Sequence, residues 1–314
     1  MSDKNVRHSG RAHQTMIYLG KLIRMFIYQN DWKLLPMAAI IAGLVCYVVG
    51  RDLFRTMEGT RIGTFAMSCI CIWNGFFNSI QVICRERPIA KREHRSGLHI
   101  SSYITAHMIY QAFLCLCQAV ITVIICRMMK TPMPARTLFT AIPEVDLTIT
   151  LFLTTYCADM MALMVSSLVH TTTAAMTVMP FLLIVQLVFS GGIFQLGGNA
   201  QKLTNLTVAK WGMTALCSQG DYNSLPMVSI WNSVVQMRNV EVAGEKPIQK
   251  ALEYVEETGR REEFLLKSAQ NNQKPEYAFD KDIVQRCWNY LIFYSILYAA
   301  VAVISLELID RDRR

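Results

Sequence analysis

Residues 71–103 read CIWNGFFNSIQVICRERPIAKREHRSGLHISSY, and this stretch decides the fold. An apolar helix carrying Asn74, Asn78 and Gln81 along one stripe leads directly into a charged segment, residues 85–95. A new apolar run follows that segment. The pattern predicts two membrane spans joined by a short basic helix. That helix is expected on the cytoplasmic face, because Lys and Arg close to span ends resist translocation.

The composition is that of a polytopic membrane protein, since 53% of the 314 residues are hydrophobic and only 17% are charged. About twenty helical residues cross a hydrocarbon core of about 30 Å, so the pattern predicts an all-α fold with six transmembrane helices. The predicted spans are 34–49, 62–84, 102–128, 147–169, 172–194 and 288–309. The formal charge of +8 does not indicate nucleic-acid binding, because no basic stripe is interleaved with aromatic residues outside the spans.

The distribution of Lys and Arg predicts the orientation of the spans. With the amino terminus inside, the predicted cytoplasmic pieces hold fourteen of these residues, whereas the two short outer loops hold six. This difference is the positive-inside bias. Both termini are therefore expected in the cytoplasm, in a multi-pass protein of the plasma (inner) membrane. No cleavable signal peptide is expected, because the first fifteen residues are polar.

The chain divides into four predicted regions. Residues 1–33 hold a cytoplasmic tail and a basic amphipathic connecting helix that is suited to the membrane interface. Residues 34–194 hold the first five spans, and residues 195–287 form an external region. Residues 288–314 hold the sixth span and a short cytoplasmic tail.

The external region has two predicted parts. Residues 203–216 are moderately apolar and predict a re-entrant or interfacial helix packed on the bundle, because irregular backbone at membrane depth must be covered by protein. Further along, Pro247 suits the first turn of a helix, which would belong to a small helical cap outside the membrane. The apolar face of that helix is predicted to hold Ile248, Leu252, Tyr254 and Val255.

Two of the ten cysteines, Cys217 and Cys287, bracket the external region. A disulfide between them fits an oxidising exterior, and two free thiols fit equally well. The two C-x-C pairs lie in apolar runs and do not predict a metal site, because residues two apart on a helix point to different faces.

Polar side chains recur at helical spacing inside the predicted spans, where each needs a hydrogen-bond partner or a wet cavity. In the second and fifth spans both explanations stay open, because Phe77 and Met179 add the adaptable apolar surface of a hydrophobic site. In the third and fourth spans, hydrogen bonding between helices is favoured. Asp159 is the one acid well inside a predicted span. A hydrogen-bonded carboxyl is favoured there over a proton or cation relay with His107.

Several motifs are similar to those of one family. VICRER at 82–87, RE at 92–93 and SSY at 101–103 resemble the second span, coupling helix and third-span start of ABC-2 type permeases, especially those of the G subfamily of ABC transporters. VFSGGI at 188–193 resembles the F-S-G motif at the top of the fifth helix in that subfamily. KWGMTAL at 210–216 resembles its motif after the re-entrant hairpin. The resemblance covers nearly the whole chain.

The resemblance implies how such a chain works. Two permeases pair about a twofold axis, as a homodimer or a related heterodimer, and each coupling helix, here within 85–99, sits in a groove of an ATP-binding cassette subunit. The residues expected to transmit this contact are Arg85, Glu86, Arg87, Lys91, Arg92 and Glu93. No ATP-binding domain precedes the first predicted span, so a separate cassette subunit is expected to bind ATP and Mg²⁺. No cofactor is expected in this chain.

The resemblance also implies a central substrate cavity between the second and fifth spans. The residues expected to line it, including the apolar side chains named above, are Cys71, Asn74, Phe77, Asn78, Met179, Leu183, Gln186 and Leu187. Gly192 and Ile193 correspond to an external plug above the cavity. A glycine replaces one member of the family's apolar pair there, which argues against a tight plug.

The predicted function is that of a permease subunit in an ABC exporter, which moves an amphipathic or hydrophobic molecule such as a lipid, peptide or drug outward. An alternative is a signalling or scaffold membrane protein that relays force from a cassette ATPase to an envelope partner without transport. A proton-driven carrier has thin support from one buried acid. The sequence holds no phosphate-binding motif and no nucleophile with its base, so the chain is not predicted to be an enzyme.

Overall fold

The computed structural model describes residues 10–28, 31–192, 199–241 and 246–311, and within these ranges the regular structure is helical, with no strand. The helices in chain order are α1 (Arg11–Tyr28), α2 (Leu34–Val49), α3 (Met57–Ser79), α4 (Val82–Arg95), α5 (Ile100–Met128), α6 (Pro143–Leu168), α7 (Thr172–Val188), α8 (Asn199–Thr204), α9 (Val208–Gln219), α10 (Val228–Gln236), α11 (Pro247–Glu257), α12 (Arg261–Gln270) and α13 (Lys281–Arg311).

Five helical stretches within the described ranges are long and apolar enough to cross a membrane. They contain α2, α3 with α4, α5, α6 and α13, so the chain is a polytopic helical membrane protein. The predicted fifth span, 172–194, corresponds to α7, which is apolar but 17 residues long. The predicted end of that span lies outside the described residues. Six crossings therefore stay a prediction.

Helix α6 lies at the centre of the bundle, and its most extensive contact is with α3. At Gly75 the two helices approach each other closely. A Cβ atom built on Gly75 would lie 2.5 Å from the backbone oxygen of Thr155 and 2.7 Å from the backbone nitrogen of Asp159. Small residues allow such close packing of membrane helices, which maximises their van der Waals contact. The α3–α6 pair therefore depends on the absence of a side chain at position 75.

A buried cluster joins α7 to this pair. Met179 and Leu183 of α7 pack with Phe76 of α3 and Met161 of α6. Each of these four side chains is at most 6% exposed. The opposite side of α7 is exposed, with Phe181 66% accessible. Helix α7 thus presents one face to the bundle and one apolar face outward.

Helix α9 is buried along nearly its whole length and lies among α3, α6 and α13. It overlaps the stretch 203–216 predicted as a helix packed on the bundle, although it begins at Val208 and ends at Gln219. Gly212 permits the contact, since a Cβ atom there would lie 2.8 Å from the side chain of Thr154. The backbone nitrogen of Ala209 donates a 3.2 Å hydrogen bond to Oε1 of Gln186 on α7.

Helices α10, α11 and α12 form a separate group with its own small core of Trp231, Leu252 and Leu265. The predicted helix beginning at Pro247 is confirmed. Its predicted apolar face is wrong at one position, because Tyr254 is 61% exposed. Tyr254 follows two residues after the buried Leu252, and residues two apart on a helix do not share a face.

The α10–α12 group is anchored to the start of α3. The carboxylate of Glu58 accepts hydrogen bonds from the backbone amides of Val228 and Ser229, at 3.3 and 2.8 Å. These amides belong to the first turn of α10, whose N–H groups have no partner within the helix. The negative charge also suits the positive end of the helix dipole. Glu58 therefore caps α10 from another helix.

Candidate functional site

The candidate site is built around α4, which follows α3 after a two-residue turn at Ile80 and Gln81. Ser166, near the end of α6, accepts hydrogen bonds on its hydroxyl oxygen from the backbone amides of Ile83 and Cys84, at 3.1 and 3.2 Å. Both amides belong to the first turn of α4 and have no partner within the helix. Ser166 thus serves α4 as an N-terminal cap supplied by α6.

A second contact reinforces this junction. The guanidinium of Arg87 donates a hydrogen bond to the backbone oxygen of Ser167. That oxygen also accepts a 3.3 Å hydrogen bond from the hydroxyl of Ser305 on α13. Carbonyl groups in the last turn of a helix lack intrahelical partners, and a cation there suits the negative end of the helix dipole. The contact therefore ties α4 to the end of α6.

The six residues predicted to contact a cassette subunit lie on different sides of α4. Arg85 and Arg92 are exposed, while Glu86 is 6% exposed and faces the bundle. Arg87, Lys91 and Glu93 are half-buried. The exposed face of α4, hereafter the outer face, consists of Arg85, Pro88, Ile89, Arg92 and Arg95. The helix therefore presents a basic face that also carries Pro88 and Ile89, while its acidic Glu86 faces the bundle.

Glu86 connects α4 to α5. The hydroxyl of Tyr103 donates a 3.4 Å hydrogen bond to Oε2 of Glu86, and Nε2 of His107 lies 3.9 Å from the same oxygen. Tyr103 also makes edge-on ring contacts with His107 and with Tyr18 of α1, at centroid distances of 4.6 and 5.3 Å. Oriented aromatic contacts of this kind add to the area that they bury. Glu86 therefore lies at a contact between α1, α4 and α5.

Helix α1 holds the turn that follows α4. Nε2 of Gln14 donates a 3.0 Å hydrogen bond to the backbone oxygen of Gly97, and Oε1 of Gln14 accepts a 3.0 Å hydrogen bond from the backbone amide of His99. The hydroxyl of Ser102 donates a 3.1 Å hydrogen bond to the backbone oxygen of Arg11. One face of α1 thus clamps residues 97–102. The sequence predicted an amphipathic helix here, and α1 begins at Arg11.

The ion pair between Lys21 and Glu93 contributes less to this clamp. Its two charged atoms are 3.9 Å apart, and both side chains are more than one third exposed. Exposed pairs of this kind are worth about 0–1 kcal/mol. The packing of α1 against α4 and α5 therefore depends mainly on the Gln14 hydrogen bonds and on buried Tyr18 and Leu22.

A cavity of about 340 Å³ opens beside this junction, between α1, α2, α3, α4, α5 and α7. Its wall combines apolar side chains, among them Phe77 and Met176, with polar ones, among them Asn78 and Gln111. Charged groups of both signs line one part of it, namely Asp31, Lys33, Arg85 and Glu86. The cavity can therefore accommodate a molecule that has both an apolar and a polar part.

The comparison with protein families identifies an ABC-2 type transporter domain. Residues 21–218 match the family model of the ABC-2 type transporter, which is more than half of the chain. The chain belongs to the ABC-2 type transporter family. A search of curated proteins found no match. The ABC-2 match runs from α1 into α9 and includes α4 and the cavity.

Membership of the ABC-2 family identifies the chain as a permease component of an ABC transporter, which acts together with an ATP-binding cassette subunit. The apolar helices agree with this assignment, because they make the chain a multi-pass membrane protein. Within the ranges that the structure describes, no group of three or more His, Cys, Asp or Glu residues could hold a metal ion.

The residues predicted to line the ABC-2 substrate cavity do not all line one cavity within this single chain. Phe77 and Asn78 lie together in the cavity described above. Asn78 also exchanges two side-chain hydrogen bonds with Gln118 of α5, at 2.9 and 3.0 Å. Cys71 is buried in a cluster that includes Ala119 of α5 and Leu151 of α6. Asn74 is likewise buried, at 3% exposed.

The predicted cavity residues of α7 face the interior of the bundle. Met179 and Leu183 belong to the buried cluster shared with α3 and α6. Nε2 of Gln186 lies 3.7 Å from the sulfur of Met161, and its Oε1 accepts the hydrogen bond from α9. Leu187 is half-buried. Their role in an ABC-2 substrate cavity stays a prediction.

Gly192, predicted as part of the external plug, contacts other parts of the ABC-2 domain. A Cβ atom there would lie 2.5 Å from the ring of Phe65 and 3.1 Å from the sulfur of Met213. Ile193, its predicted partner, lies outside the described residues. Preceding these, Ser190 uses its hydroxyl to accept a 3.1 Å hydrogen bond from the amide of Gly192. A larger residue at position 192 would therefore require the side chain of Phe65 to shift.

The two cysteines that bracket the external region, Cys217 and Cys287, are free thiols in the structure. The sulfur of Cys217 lies 3.1 Å from the hydroxyl of Thr64. Cys287 is buried in another cluster, with Leu138 and Val284. Cys217 and Cys287 thus belong to different buried clusters, and the choice between a disulfide and two free thiols stays a prediction.

Asp159 and His107 contact different partners. Asp159 is fully buried on α6, and the thiol of Cys115 donates a 3.4 Å hydrogen bond to its Oδ2. His107 lies beside Glu86. The hydrogen-bonded carboxyl favoured from the sequence agrees with this arrangement.

Sequence reasoning missed two residues of the site, Ser166 and Gln14. The polar pattern of the fourth predicted span does not single out Ser166. Its contact with α4 joins positions 83 residues apart. No local pattern signals such a partner, because the acceptor and its donors are brought together only by packing.

Proposed function

We propose that this chain is the permease subunit of an ATP-driven exporter that moves an amphipathic or hydrophobic substrate outward by alternating access. A separate cassette subunit binds ATP and Mg²⁺ and contacts the outer face of α4. A second copy of this permease or a related one completes the substrate pathway. The observation that carries the proposal is α4 itself, a basic helix whose inner face is fastened to α5 and α6.

The contacts of α4 support a role in force transmission. Its outer face carries Arg85, Ile89 and Arg92 to solvent, where a partner with acidic and apolar groups can bind. A displacement of that face would act on α6 through Ser166 and on α5 through Glu86. Because packed helices move as rigid elements between discrete arrangements, a shift of α4 would reach the membrane spans.

The cavity beside α4 supports an amphipathic substrate. Its apolar wall includes Met37, Phe77 and Met176, and its polar wall includes Asn78 and Gln111. The flexible thioether side chains suit substrates of varied shape. Opening at the level of α4, the cavity is the entrance that an exporter needs for a molecule arriving from the cytoplasmic side.

The proposal includes an orientation. Helices α1 and α4 and both termini lie on the cytoplasmic side, as the distribution of Lys and Arg favours. Helix α7 is the remaining span, α8 and α9 form the re-entrant hairpin, and α10–α12 form an external cap. The membrane is the plasma (inner) membrane.

The experiment uses the permease co-purified with its cassette subunit and reconstituted in liposomes. Arg92→Glu and Ile89→Asp change the outer face of α4, and Arg238→Glu changes an exposed basic residue of the α10–α12 group. The first two variants are expected to lose ATPase stimulation or binding of the cassette subunit, and Arg238→Glu is expected to retain both. Unchanged coupling in Arg92→Glu and Ile89→Asp would contradict the role of α4.

A signalling or scaffold role is the second candidate, and the α10–α12 group favours it. This group has its own core and exposes apolar side chains, including Met237, Tyr254 and Leu266, at 46%, 61% and 48%. Such a surface suits an envelope partner. Transport assays in inverted vesicles separate the two candidates, because a scaffold would show coupled ATPase activity without ATP-dependent uptake of any amphipathic dye.

A further inference from the structure

Two cysteines at the ends of neighbouring helices nearly touch. Cys46 lies three residues before the end of α2, and Cys126 lies two residues before the end of α5. Their sulfur atoms are 3.1 Å apart. Both side chains are buried, at 5% and 0% exposed. A disulfide bond measures about 2.05 Å between its sulfurs, so a small adjustment of the two side chains would join them.

The packing of α2 against α5 brings the two sulfur atoms close together. Ala38, Ala42 and Cys46 recur every four residues and form the buried side of α2. Residues four apart share one face of a helix. Helix α2 packs against both α5 and α3, and Cys46 shares a buried cluster with Cys126 of α5. A small side chain at each of these positions keeps the two backbones close. The register of the α2–α5 contact therefore brings Cys46 to Cys126.

The chain after α5 closes over the pair. The backbone amide of Thr131 donates a 3.0 Å hydrogen bond to the backbone oxygen of Cys126. At the end of α2, the amide of Gly50 bonds the backbone oxygen of Cys46. Both cysteines are thus held by ordered ends of helices, not by a long loop.

We propose that Cys46 and Cys126 form a disulfide bond that fastens α2 to α5. The inference rests on the orientation proposed above, in which these helix ends face the outside, where disulfides persist. The oxidant is the disulfide of a dithiol oxidoreductase that acts outside the membrane. One thiolate attacks that disulfide to give a mixed disulfide, and the second thiolate displaces the enzyme's thiol. Two electrons and two protons pass from the cysteines to the oxidoreductase, which is left as a dithiol.

The burial of Cys46 and Cys126 determines when the disulfide can form. Because both sulfurs are covered in the folded bundle, the exchange takes place while α2 docks against α5. Once formed, the bond is shielded from reductants by the same packing. The bond would fasten the stretch Asp31–Val49, which contains α2. Only 17% of the most apolar part of this stretch is buried in the protein, less than in the other four candidate spans.

The bond would also divide the bundle into parts. Helices α2 and α5 would move together at their outer ends, while α3, which leads into α4, is joined to α5 by the Asn78–Gln118 hydrogen bonds and not by a covalent bond. A displacement of α4 by the cassette subunit would then move α3 relative to the linked α2–α5 pair.

The first test is a direct chemical one on the full chain. The membrane is extracted without reductant in the presence of N-ethylmaleimide, denatured, digested with pepsin and analysed by mass spectrometry. The expected result is a linked peptide pair containing Cys46 and Cys126, which separates on reduction. Recovery of both cysteines as maleimide adducts from the denatured chain would overturn the proposal.

A thermal measurement gives an independent readout. Dithiothreitol added to the unfolding mixture is expected to lower the apparent Tm of the wild type by about 4 °C or more. The Cys46→Ser and Cys126→Ser variants are expected to show no such shift. Cys117→Ser, which changes a half-buried thiol of the same α5 helix, is expected to shift like the wild type. A reductant effect of equal size in Cys46→Ser would overturn the assignment.

Orientation is tested separately, so that the two proposals can fail independently. In a Cys46→Ser, Cys126→Ser background, Lys130→Cys places an exposed thiol in the turn after α5. Labelling of intact cells by a membrane-impermeant maleimide supports the outward position. If that labelling succeeds and the wild type lacks the linked peptide, the disulfide fails and the exporter orientation stands. Labelling only in inverted vesicles would overturn the orientation and the disulfide that rests on it.

Discussion

The hydroxyl of Tyr103 on α5 donates a 3.4 Å hydrogen bond to the carboxylate of Glu86 on α4. The two residues are 1% and 6% exposed, so water does not compete for the bond. This contact joins the helix that carries the basic outer face to a helix of the membrane bundle. A substitution at this contact is therefore expected to reduce the coupling between the cassette subunit and the membrane helices while the bundle still folds.

We expect Glu86→Ala to reduce substrate-stimulated ATPase activity of the permease–cassette complex by roughly fivefold or more, since a coupling free energy of 1–3 kcal/mol corresponds to such factors. Glu86→Gln keeps an acceptor for Tyr103 and is expected to retain part of the activity. The measurement compares basal and stimulated ATPase rates in liposomes. Equal stimulation in Glu86→Ala and the wild type would show that α4 does not act through this contact.

Ser166→Ala is expected to destabilise the protein by about 1–3 kcal/mol, because it leaves two buried backbone amides of α4 without an acceptor. Ser295→Ala is the matched control. Ser295 is also a buried serine, but its hydroxyl bonds a carbonyl of its own helix. Chemical denaturation in detergent gives both values. A loss for Ser295→Ala as large as that for Ser166→Ala would argue against a capping role.

Gly75→Ala is expected to lower the free energy of unfolding by about 1–3 kcal/mol. The added methyl group would meet backbone atoms of α6, which cannot move aside. Gly43→Ala on α2 is the control, since the nearest atom to its Cβ would lie at 3.9 Å. Thermal unfolding of the two purified variants measures the difference. A Gly75→Ala protein as stable as Gly43→Ala would mean that α3 and α6 do not approach this closely.

Gln14→Ala is expected to loosen the turn after α4 without unfolding the bundle. The variant loses two 3.0 Å hydrogen bonds, to Gly97 and from His99, each worth about 1 kcal/mol. Hydrogen exchange at residues 96–99 should accelerate by about tenfold or more. His13→Ala changes an exposed neighbour on α1 and should leave this exchange unaltered. Similar exchange in the two variants would contradict the clamp.

Met176→Trp is expected to fill part of the cavity beside α4 and to change substrate-stimulated ATPase activity, because Met176 lies in the cavity wall. Phe181→Trp enlarges an exposed side chain of the same α7 helix and should have little effect. The assay uses a panel of amphipathic dyes with each variant. A scaffold protein would respond to neither substitution, so an unchanged Met176→Trp profile would count against the exporter.

Much of the site could be predicted from single positions and short motifs. The charged segment after Gln81 predicted α4, and the motif residues Glu86 and Tyr103 meet at the contact between α4 and α5. The polar Asn78 was recognised, although the structure pairs it with Gln118. The residues expected in a central cavity, such as Leu183 and Gln186, belong to the core of the single chain. A periodic pattern shows that a residue faces other protein, and it does not show which element covers it.

The sequence by itself determined that this protein is a helical membrane protein, where its apolar helices run, and that a basic helix separates two of them. Those properties follow from local chemistry: apolar length, charge near span ends and helix-breaking residues. Only the tertiary structure decided that Ser166 caps α4, that Glu86 meets Tyr103, and that Cys46 lies beside Cys126. These contacts join residues far apart in the chain, and the packing of several helices at once selects them. No single segment contains that information.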